Sequence, residues 1–342
     1  MPKALATTPP APELPHDAPG VSVVVPSYNH APFVERALRS VFRQTLAPLE
    51  LVVIDDGSRD DSPQIIERVL RDSPFACEFI ARENRGLSAT LNEGFARASR
   101  GRYFAYLGSD DVWLPQFLAA RVEALTARPR AVLAYGNAYS IDERDRIIDC
   151  TIDWARYRDG DARRMLLETL APLSPTVVYH RDALPPQPWN EAAGLEDYEL
   201  YLRLSASGEF AFDPRVLSAW RQHGYNTSRN LSLMLREKLA AQQRVAASLK
   251  LSAAELAEFQ KLAKFRGAQE FMRRGEKWQS LRLASGNWRG AQTKGEALRL
   301  LAGLLTPHHL LARRQARRHD EAAARYGSLE IWKDAKEDRS VE

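Results

Sequence analysis

The chain has 342 residues and a formal net charge of +4, with 44% hydrophobic and 27% charged residues. This composition is typical of a globular protein that has one sizeable core and a smaller appended domain, and it excludes a fibrous or disordered chain. Cys77 and Cys150 are the only cysteines, which argues against a disulfide framework or a zinc site. We therefore interpret both as structural thiols in a reducing compartment.

The two ends of the chain differ from its middle. Residues 1–20 are rich in proline and contain no apolar run of the kind found in secretory signals, so we expect a disordered leader. Residues 1–230 carry 26 Lys and Arg against 31 Asp and Glu, whereas residues 231–342 carry 22 against 13. This asymmetry predicts that the two parts meet different partners.

Strands and helices are predicted to alternate from Val21 onward. Continuous Val, Ile and Leu runs are typical of strands that are buried on both faces, and apolar residues three or four apart indicate helices. The predicted strands cover residues 21–25, 51–54, 75–80, 103–107 and 131–139. The helices between them cover residues 32–44, 86–98 and 115–125, together with a helix that begins at residue 60 or 62 and ends at residue 70. This alternation predicts an α/β domain with a doubly wound, mostly parallel sheet.

The pattern weakens in the second half of the chain. Residues 142–161 are polar and rich in turn formers, so we expect irregular or antiparallel structure there. A helix is predicted at 195–207 and a short final strand at 216–220. Further on, Ala, Leu, Arg, Lys and Gln dominate, which predicts several helices. The predicted division is an α/β domain over residues 21–230 and a basic helical region over residues 231–342.

Two acidic pairs follow predicted strands. In open α/β sheets the ligand lies where the carboxyl ends of the strands emerge, so both pairs are expected at one cleft. Asp55 and Asp56 can accept hydrogen bonds from a base or a ribose, whereas Asp110 and Asp111 can hold a hard divalent cation with substrate phosphates. The alternatives are a helix N-cap and turn for the first pair and a solvated turn for the second.

A third acidic pair, Glu196 and Asp197, begins a predicted helix. One of the two can act as a general base on an attacking hydroxyl, and the alternative is that both complement the helix dipole. His223 follows the final strand, where it can complete a metal site or serve as an ordinary hydrogen-bonding residue. The sequence has no Walker loop, GxSxG elbow or HExxH motif, and no GxGxxG fingerprint after the first strand, which argues against a dehydrogenase.

Taken together, these segments resemble the glycosyltransferase family 2 enzymes of the GT-A fold. The resemblance runs from about Val21 to Ser228. It rests on the ordered segments VVVPSYN, SVFRQTLAPLELVVIDDGSRDDS, ENRGLSATLNEGFARASRGRYFAYLGSDDVWLP, GLEDYELYLRL and RQHGYNTS. It implies an inverting enzyme that uses a nucleotide-diphosphate sugar and a divalent cation, Mg²⁺ or Mn²⁺. The implied acceptor is a glycan or lipid-linked hydroxyl in cell-surface polysaccharide assembly.

The resemblance also implies roles for individual residues. Asp197, with Glu196 beside it, matches the catalytic base. Asp110, Asp111 and His223 match the metal site, with Asp111 as the expected direct ligand. The residues expected to bind the donor are Pro26, Tyr28, Asn29, Asp55, Asp56, Asn84, Arg85, Gly86 and Asp110.

One departure from the family pattern concerns the metal site. Many relatives have an Asp where this chain has Gly108, which bears on how strictly a metal is required. The expected chemistry is a single displacement, in which the base deprotonates the acceptor while the metal stabilises the departing diphosphate. One alternative is a nucleotidyltransferase, which the lack of a phosphate loop after the first strand disfavours. The other is a non-catalytic protein that binds nucleotide sugars.

The basic region contains a predicted amphipathic segment at residues 297–318. Its leucines share one helical face and its arginines cluster behind Pro307, a pattern that suits an anionic membrane surface. The alternative is a helix that packs on the α/β domain. The uncharged run at residues 300–311 is too short to span a bilayer, and sparse aromatic residues disfavour nucleic acid. We expect a cytoplasmic protein, peripheral on the inner face of the cell membrane if the first alternative holds.

Overall fold

The computed structural model describes residues 20–329. Residues 1–19, which hold nearly all of the predicted leader, and residues 330–342 lie outside the described residues. Within the described range, an α/β domain that ends at Arg221 is followed by a series of helices. This order agrees with the predicted arrangement of an α/β part and a helical part.

A nine-stranded sheet forms the centre of the α/β domain within residues 20–329. Its strands are β1 (Val21–Ser27), β2 (Glu50–Asp55), β3 (Cys77–Ala81), β4 (Tyr103–Tyr106), β5 (Val112–Trp113), β6 (Ala131–Ile141), β7 (Ile147–Cys150), β8 (Val178–His180) and β9 (Glu209–Arg221). The helices of this domain are α1 (Val34–Phe42), α2 (Ser62–Leu70), α3 (Leu87–Arg97), α4 (Phe117–Thr126), α5 (Arg163–Leu167) and α6 (Glu196–Leu204).

The strand order is β3-β2-β1-β4-β8-β6-β9-β5, with β7 paired to β6. Strands β1 to β4 are mutually parallel, and β6 is parallel to β9. The antiparallel strands β5, β7 and β8 extend this parallel framework. Both faces are covered, because alternate residues of the central strands enter separate apolar clusters, for example Val24 in one and Val23 in the other. The predicted doubly wound α/β fold is confirmed.

Three strands depart from the sequence prediction, and one of them, the two-residue β5, is too short to show a period. The final strand was expected at residues 216–220, but β9 begins at Glu209 and is 13 residues long. Its pairing with β6 shifts register between Asp213 and Val216. Pro214 therefore lies in an irregular stretch, where its missing N–H costs no hydrogen bond between the strands. This proline is the reason why the sequence prediction started the strand too late. Strand β8 was not predicted, because three residues are too few to show a period.

Five helices follow the sheet domain within the described residues. They are α7 (Leu231–Val245), α8 (Ala253–Arg273), α9 (Lys277–Ser285), α10 (Lys294–Leu305) and α11 (His308–Tyr326). Helix α7 packs on α6, and its buried Gln242 donates to the carbonyl of Leu167 and to the Tyr198 hydroxyl. The first appended helix therefore shares the core of the α/β domain.

The end of α11 returns to the α/β domain. Tyr326 donates to Asp153, and its ring lies 5.5 Å from that of Tyr139. The backbone N–H of Leu329 then donates to the carbonyl of Asp145, in the turn between β6 and β7. The end of α11 thus packs on the α/β domain, whereas leucines of α10 are exposed, and contact of residues 297–318 with a membrane stays a prediction. Among residues 20–329, no helix has the length and apolar character needed to cross a membrane.

Candidate active site

Loops at the carboxyl ends of β1, β2 and β4 meet at one edge of the sheet. The parallel register pairs Ser27 at the end of β1 with Asp55 at the end of β2. Helix α6 brings Asp197 to this edge, and the segment after β9 brings His223, which contacts Asp110 in the loop after β4. The structure therefore gathers residues from five separate segments, as the strand-end argument predicted.

Hydrogen bonds from Asn29 join the loops after β1 and β2. Asn29 has a φ of 54°, in the left-handed region that asparagine tolerates. Its backbone N–H donates to Ser58 Oγ (2.8 Å), and its side-chain oxygen accepts from the Arg59 N–H (2.8 Å). Of its predicted donor-binding neighbours, Pro26 is buried in β1, whereas the Tyr28 side chain is 42% exposed. Tyr28 is thus available to a ligand in a way that the Pro26 ring is not.

Asp55 builds the turn that follows β2. Its carboxylate accepts from the Ser58 N–H (2.9 Å) and the Ser58 hydroxyl (2.6 Å), which is the turn that the sequence offered as an alternative. Gly57 has a φ of 78°, and a Cβ atom there would lie 2.7 Å from the Asn84 nitrogen. Glycine is therefore required at this position both by conformation and by the close approach of the next loop.

Asp56 organises the loop that follows β3. Its carboxylate accepts from the backbone N–H groups of Arg85 and Gly86, each at 2.8 Å, and forms an ion pair with Arg82. Its carbonyl accepts from Asn84 Nδ2 (2.8 Å). The predicted nucleoside-binding residues Asp56, Asn84, Arg85 and Gly86 thus form one hydrogen-bonded unit, and their contact with a base or ribose stays a prediction.

Two imidazoles face one carboxylate in the loop after β4. His223 Nε2 lies 2.9 Å from Asp110 Oδ2, and His30 Nδ1 lies 3.9 Å from Asp110 Oδ1. One ligand atom from each of the three side chains falls within 4.8 Å of the others. Ligand atoms about 2.0–2.2 Å from a shared ion lie about 3–4 Å apart, so a small inward movement of these side chains would let the donor set hold a divalent cation.

Asp111 differs from Asp110 in its surroundings. Its buried carboxylate accepts from the Arg221 N–H (2.8 Å), and it does not belong to the group of three potential ligands. Burial and the neighbouring Asp110 charge raise the pKa of Asp111 well above its usual value. Burial also opposes ionisation of Asp110, but the hydrogen bond with His223 and the nearby imidazoles bring the pKa of Asp110 below its usual value. Asp110 therefore belongs to the group of potential ligands and Asp111 does not, and the choice of direct ligand stays a prediction.

Arg221 holds the turn that carries both aspartates. Its Nε donates to the carbonyl of Asp110 (2.7 Å), and its Nη1 donates to the carbonyl of Asp142 (2.8 Å). Its Nη2 forms an ion pair with Asp145 at 2.6 Å, and its guanidinium lies 4.8 Å from the centre of the Phe33 ring. The side chain is fully buried. Arg221 therefore fixes the position of Asp110 without being available to a ligand.

Gly108 provides the space into which the two aspartates turn. A Cβ atom at this position would lie 2.8 Å from Asp110 Oδ1 and 3.2 Å from Asp111 Oδ2. Both carboxylates thus lie directly against the glycine. Many relatives have an Asp at this position. In this chain, any residue larger than Gly108 would have to displace the two carboxylates.

Asp197 lies in the first turn of α6, where the Tyr106 hydroxyl donates to its Oδ1. Burial raises the pKa of Asp197 to about 6, although the bond from Tyr106 works in the opposite direction. Burial and the Asp197 charge raise the pKa of the adjacent Glu196 to about 8. At neutral pH, Asp197 is therefore mostly ionised and Glu196 mostly protonated.

Asp197 and Asp111 lie close enough to interact. The Asp197 charge contributes to the raised pKa of Asp111. It also helps burial to raise the pKa values of the neighbouring Tyr179 and Tyr201. The structure thus brings the third acidic pair to the same cleft as the second, within a largely aromatic wall.

Four residues of this site escaped the sequence analysis: His30, Tyr106, Arg82 and Arg221. His30 and Tyr106 carried a signal, because His30 follows the first strand directly and Tyr106 ends the strand before Gly108. Arg82 and Arg221 carried none. The contacts of Arg82 with Asp56 and of Arg221 with Asp110 span 26 and 111 residues of chain, a separation that no local pattern reveals.

Comparisons with known sequences agree with this geometry. Residues 22–184 match the sequence model of the family described as Glycosyl transferase family 2. A chondroitin synthase of Escherichia coli is 27% identical over 217 residues, which cover 61% of this chain and 30% of that protein. An uncharacterized glycosyltransferase of Nostoc sp. is 32% identical over 168 residues, which cover 48% and 52%. The matches thus span about a third to a half of these relatives.

Comparisons with solved structures confirm the fold. Staphylococcus aureus TarS 1–349 in complex with UDP-GlcNAc superimposes with a TM-score of 0.56 at 16% identity, covering 90% of this chain and 92% of that one. The mannosyltransferase PcManGT of Pyrobaculum calidifontis, in complex with GDP-Man and Mn²⁺, gives 0.54 at 18% identity, covering 92% and 90%. At these identities the likeness establishes the architecture. The chemistry of the site depends on the residues described above.

Proposed function

The chain belongs to glycosyl transferase family 2, and on that basis we propose that it is an inverting glycosyltransferase that moves a sugar from a nucleotide diphosphate to a hydroxyl. The observation that carries the proposal is the position of Asp197. A carboxylate with a pKa raised to about 6 by burial interacts with Asp111, the residue that follows Asp110 of the cluster of His30, Asp110 and His223. A base and a metal-type site are the two parts that a single displacement requires.

The two acids of α6 have different roles in this proposal. Asp197 is ionised at neutral pH and basic enough to take the proton of the acceptor hydroxyl as that oxygen attacks the anomeric carbon. Glu196 is protonated under the same conditions, because burial and the Asp197 charge raise its pKa to about 8. One carboxylate base is sufficient for inversion, because no covalent intermediate has to be formed and then hydrolysed.

Asp110 and His223 would hold the divalent cation, which when bound supplies positive charge to the diphosphate leaving group. Arg221 keeps the Asp110 backbone in place. The donor nucleoside is proposed to lie along the unit formed by Asp56 and the loop at Asn84 to Gly86. The complexes of TarS with UDP-GlcNAc and of PcManGT with GDP-Man support a nucleotide-sugar donor by analogy.

We also propose a glycan or lipid-linked acceptor in cell-surface polysaccharide assembly. The support is the chondroitin synthase relative, whose name denotes a polysaccharide product. Exposed side chains of α10 and α11 form a surface suited to contact with a membrane. Leu298, Leu301 and Leu305 of α10 are 65%, 44% and 85% exposed. Helix α11 adds the exposed arginines Arg313, Arg314, Arg317 and Arg318. An apolar face beside a basic helix fits an anionic membrane surface at the cytoplasmic side.

The catalytic proposal is tested with Asp197→Asn and a matched control, Asp182→Asn. Asp182 is exposed and follows β8, whose antiparallel pairing with β4 places it at the opposite edge of the sheet. We expect Asp197→Asn to lose sugar transfer and donor hydrolysis while keeping the thermal shift that nucleotide sugars produce, and Asp182→Asn to match the wild type. Full activity in Asp197→Asn would contradict the assignment of the base.

The products separate the rival functions. A glycosyltransferase releases a nucleoside diphosphate, whereas a nucleotidyltransferase releases pyrophosphate, and the two are distinguished by chromatography of the reaction mixture. A protein that binds donors but gives neither product with any acceptor or with water would be a non-catalytic binding protein.

The membrane proposal is tested by flotation with vesicles of phosphatidylglycerol and phosphatidylcholine. We expect the full-length Arg313→Glu/Arg314→Glu variant to lose binding. The control Arg71→Glu/Arg156→Glu changes the net charge equally at exposed sites outside α11 and is expected to float like the wild type. Equal flotation of both double variants would show that α11 does not contact the vesicle.

A further inference from the structure

His30 is held in a fixed position beside Asp110. Its backbone N–H donates to Ser62 Oγ (3.0 Å), which ties it to the start of α2. Its ring packs edge-on against His223, with the ring centres 5.4 Å apart. Phe33 lies against both imidazoles, at 6.3 Å from His30 and 5.1 Å from His223. The two imidazoles are thus positioned before any ion arrives.

We propose that His30 is the third protein ligand of the divalent cation and that the site selects first-row transition ions over Mg²⁺. This inference rests on the proposed function, since it concerns the metal of that same site. The donor set of His30, Asp110 and His223 contains two nitrogen atoms and one carboxylate. Imidazole suits transition ions, whereas Mg²⁺ prefers oxygen ligands in an octahedral arrangement. The expected order of affinity is Co²⁺ above Mn²⁺ and Mn²⁺ above Mg²⁺.

Gly108 makes the contribution of His30 more important. No side chain at that position supplies a further oxygen ligand, and Gly108 lies directly against Asp110 Oδ1. Asp111, which could have provided one, accepts from the Arg221 N–H (2.8 Å). Among the described residues only the two imidazoles join Asp110 in the group. The remaining coordination positions are left for water and for oxygen atoms of the diphosphate.

His30 has one competing partner, the Ser109 hydroxyl, which lies 2.8 Å from its Nδ1. If the purpose of His30 were to position Ser109, removal of either side chain would have the same effect on metal binding. If His30 is a ligand, removal of the Ser109 hydroxyl has a small effect and removal of the imidazole a large one. Ser109→Ala is therefore the matched comparison for His30→Ala.

The experiment measures binding of Co²⁺, Mn²⁺ and Mg²⁺ by calorimetry without donor or acceptor, together with the visible absorption of bound Co²⁺. We expect His30→Ala to weaken Co²⁺ binding by about 100-fold and to change the Co²⁺ spectrum, with Ser109→Ala close to the wild type. His30→Asp, which replaces a nitrogen ligand by oxygen, is expected to bring the ratio of Co²⁺ to Mg²⁺ affinity down by about 10-fold or more.

Unchanged Co²⁺ affinity and spectrum in both His30 variants would overturn the inference, as would equal losses in His30→Ala and Ser109→Ala. Thermal unfolding in the presence of a chelator identifies a variant that has failed to fold, and the second His30 variant then decides. Because no sugar transfer is measured, failure of the proposed function would leave these results interpretable. Unaltered metal selectivity in both His30 variants would reject the role of His30 alone.

Discussion

Removal of the Tyr106 hydroxyl is expected to move the acid limb of activity to higher pH. The hydroxyl donates to Asp197 Oδ1 and therefore stabilises the ionised carboxylate. Burial and the Asp197 charge raise the pKa of Tyr106 well above its usual value, so it remains a donor across the working range. In Tyr106→Phe this donor is lost, and the pKa of Asp197 must rise from its value of about 6.

The size of the shift follows from the energy of the bond. A hydrogen bond to a charged group contributes about 1.5–3 kcal/mol, and one pKa unit corresponds to about 1.4 kcal/mol, so the shift is about one to two units. At neutral pH the ionised fraction of Asp197 would fall from about nine-tenths to between about a half and a tenth. The rate in this range falls in proportion, whereas the rate at alkaline pH is largely kept.

The assay is the pH dependence of kcat/KM for sugar transfer, with Tyr135→Phe as the control. Tyr135 is a buried tyrosine of β6 whose hydroxyl donates to the carbonyl of Arg158 (2.6 Å) and does not contact Asp197. The control loses a buried tyrosine hydroxyl with its hydrogen bonds to the Arg158 backbone, leaves Asp197 untouched, and should keep the wild-type acid limb. An unmoved acid limb in Tyr106→Phe, with activity still abolished in Asp197→Asn, would refute the assigned coupling.

Three further predictions concern neighbouring residues. Glu196→Gln should keep its activity at neutral pH, because burial and the Asp197 charge already hold Glu196 protonated there. Any change in rate that the wild type shows near pH 8 should be absent from the variant. A large loss of activity at neutral pH would contradict this prediction. Arg221→Met should destabilise the protein by about 3–5 kcal/mol in urea unfolding, because Asp145 is left without this partner. Gly108→Ala should weaken Mn²⁺ binding in calorimetry by displacing Asp110 Oδ1, and an unchanged affinity would place the ion elsewhere.

The general architecture was accessible from the sequence because it depends on local periodicity. The runs at Val21 and Leu51 are buried on both faces, and their ends mark the cleft without any knowledge of the strand order. Strand β9 was underestimated because Pro214 interrupts its pattern, and only the pairing with β6 shows that a register shift absorbs the proline. Pairings between distant strands are tertiary facts, which a local pattern cannot contain.

The sequence indicated which residues come together in the site better than it indicated the role of each residue. Asp110 and His223 meet as expected, although 113 residues separate them. The choice between Asp110 and Asp111 could not be made from two adjacent identical residues. It depends on which carboxylate meets the backbone of Arg221 and which faces the imidazoles.

The turn between β6 and β7 affects how the activity of a chain that lacks α11 should be interpreted. Its residues Asp142 and Asp145 hold the guanidinium that anchors the Asp110 loop, and Asp145 also accepts from the Leu329 N–H beyond α11. Deleting α11 would remove the contacts that hold that turn from outside the domain, and it would thereby loosen Asp110, the proposed metal ligand. A shortened protein that has lost activity would therefore report a weakened scaffold as readily as a lost substrate or membrane contact. Point substitutions on the exposed face of α11 are the cleaner way to tell these apart.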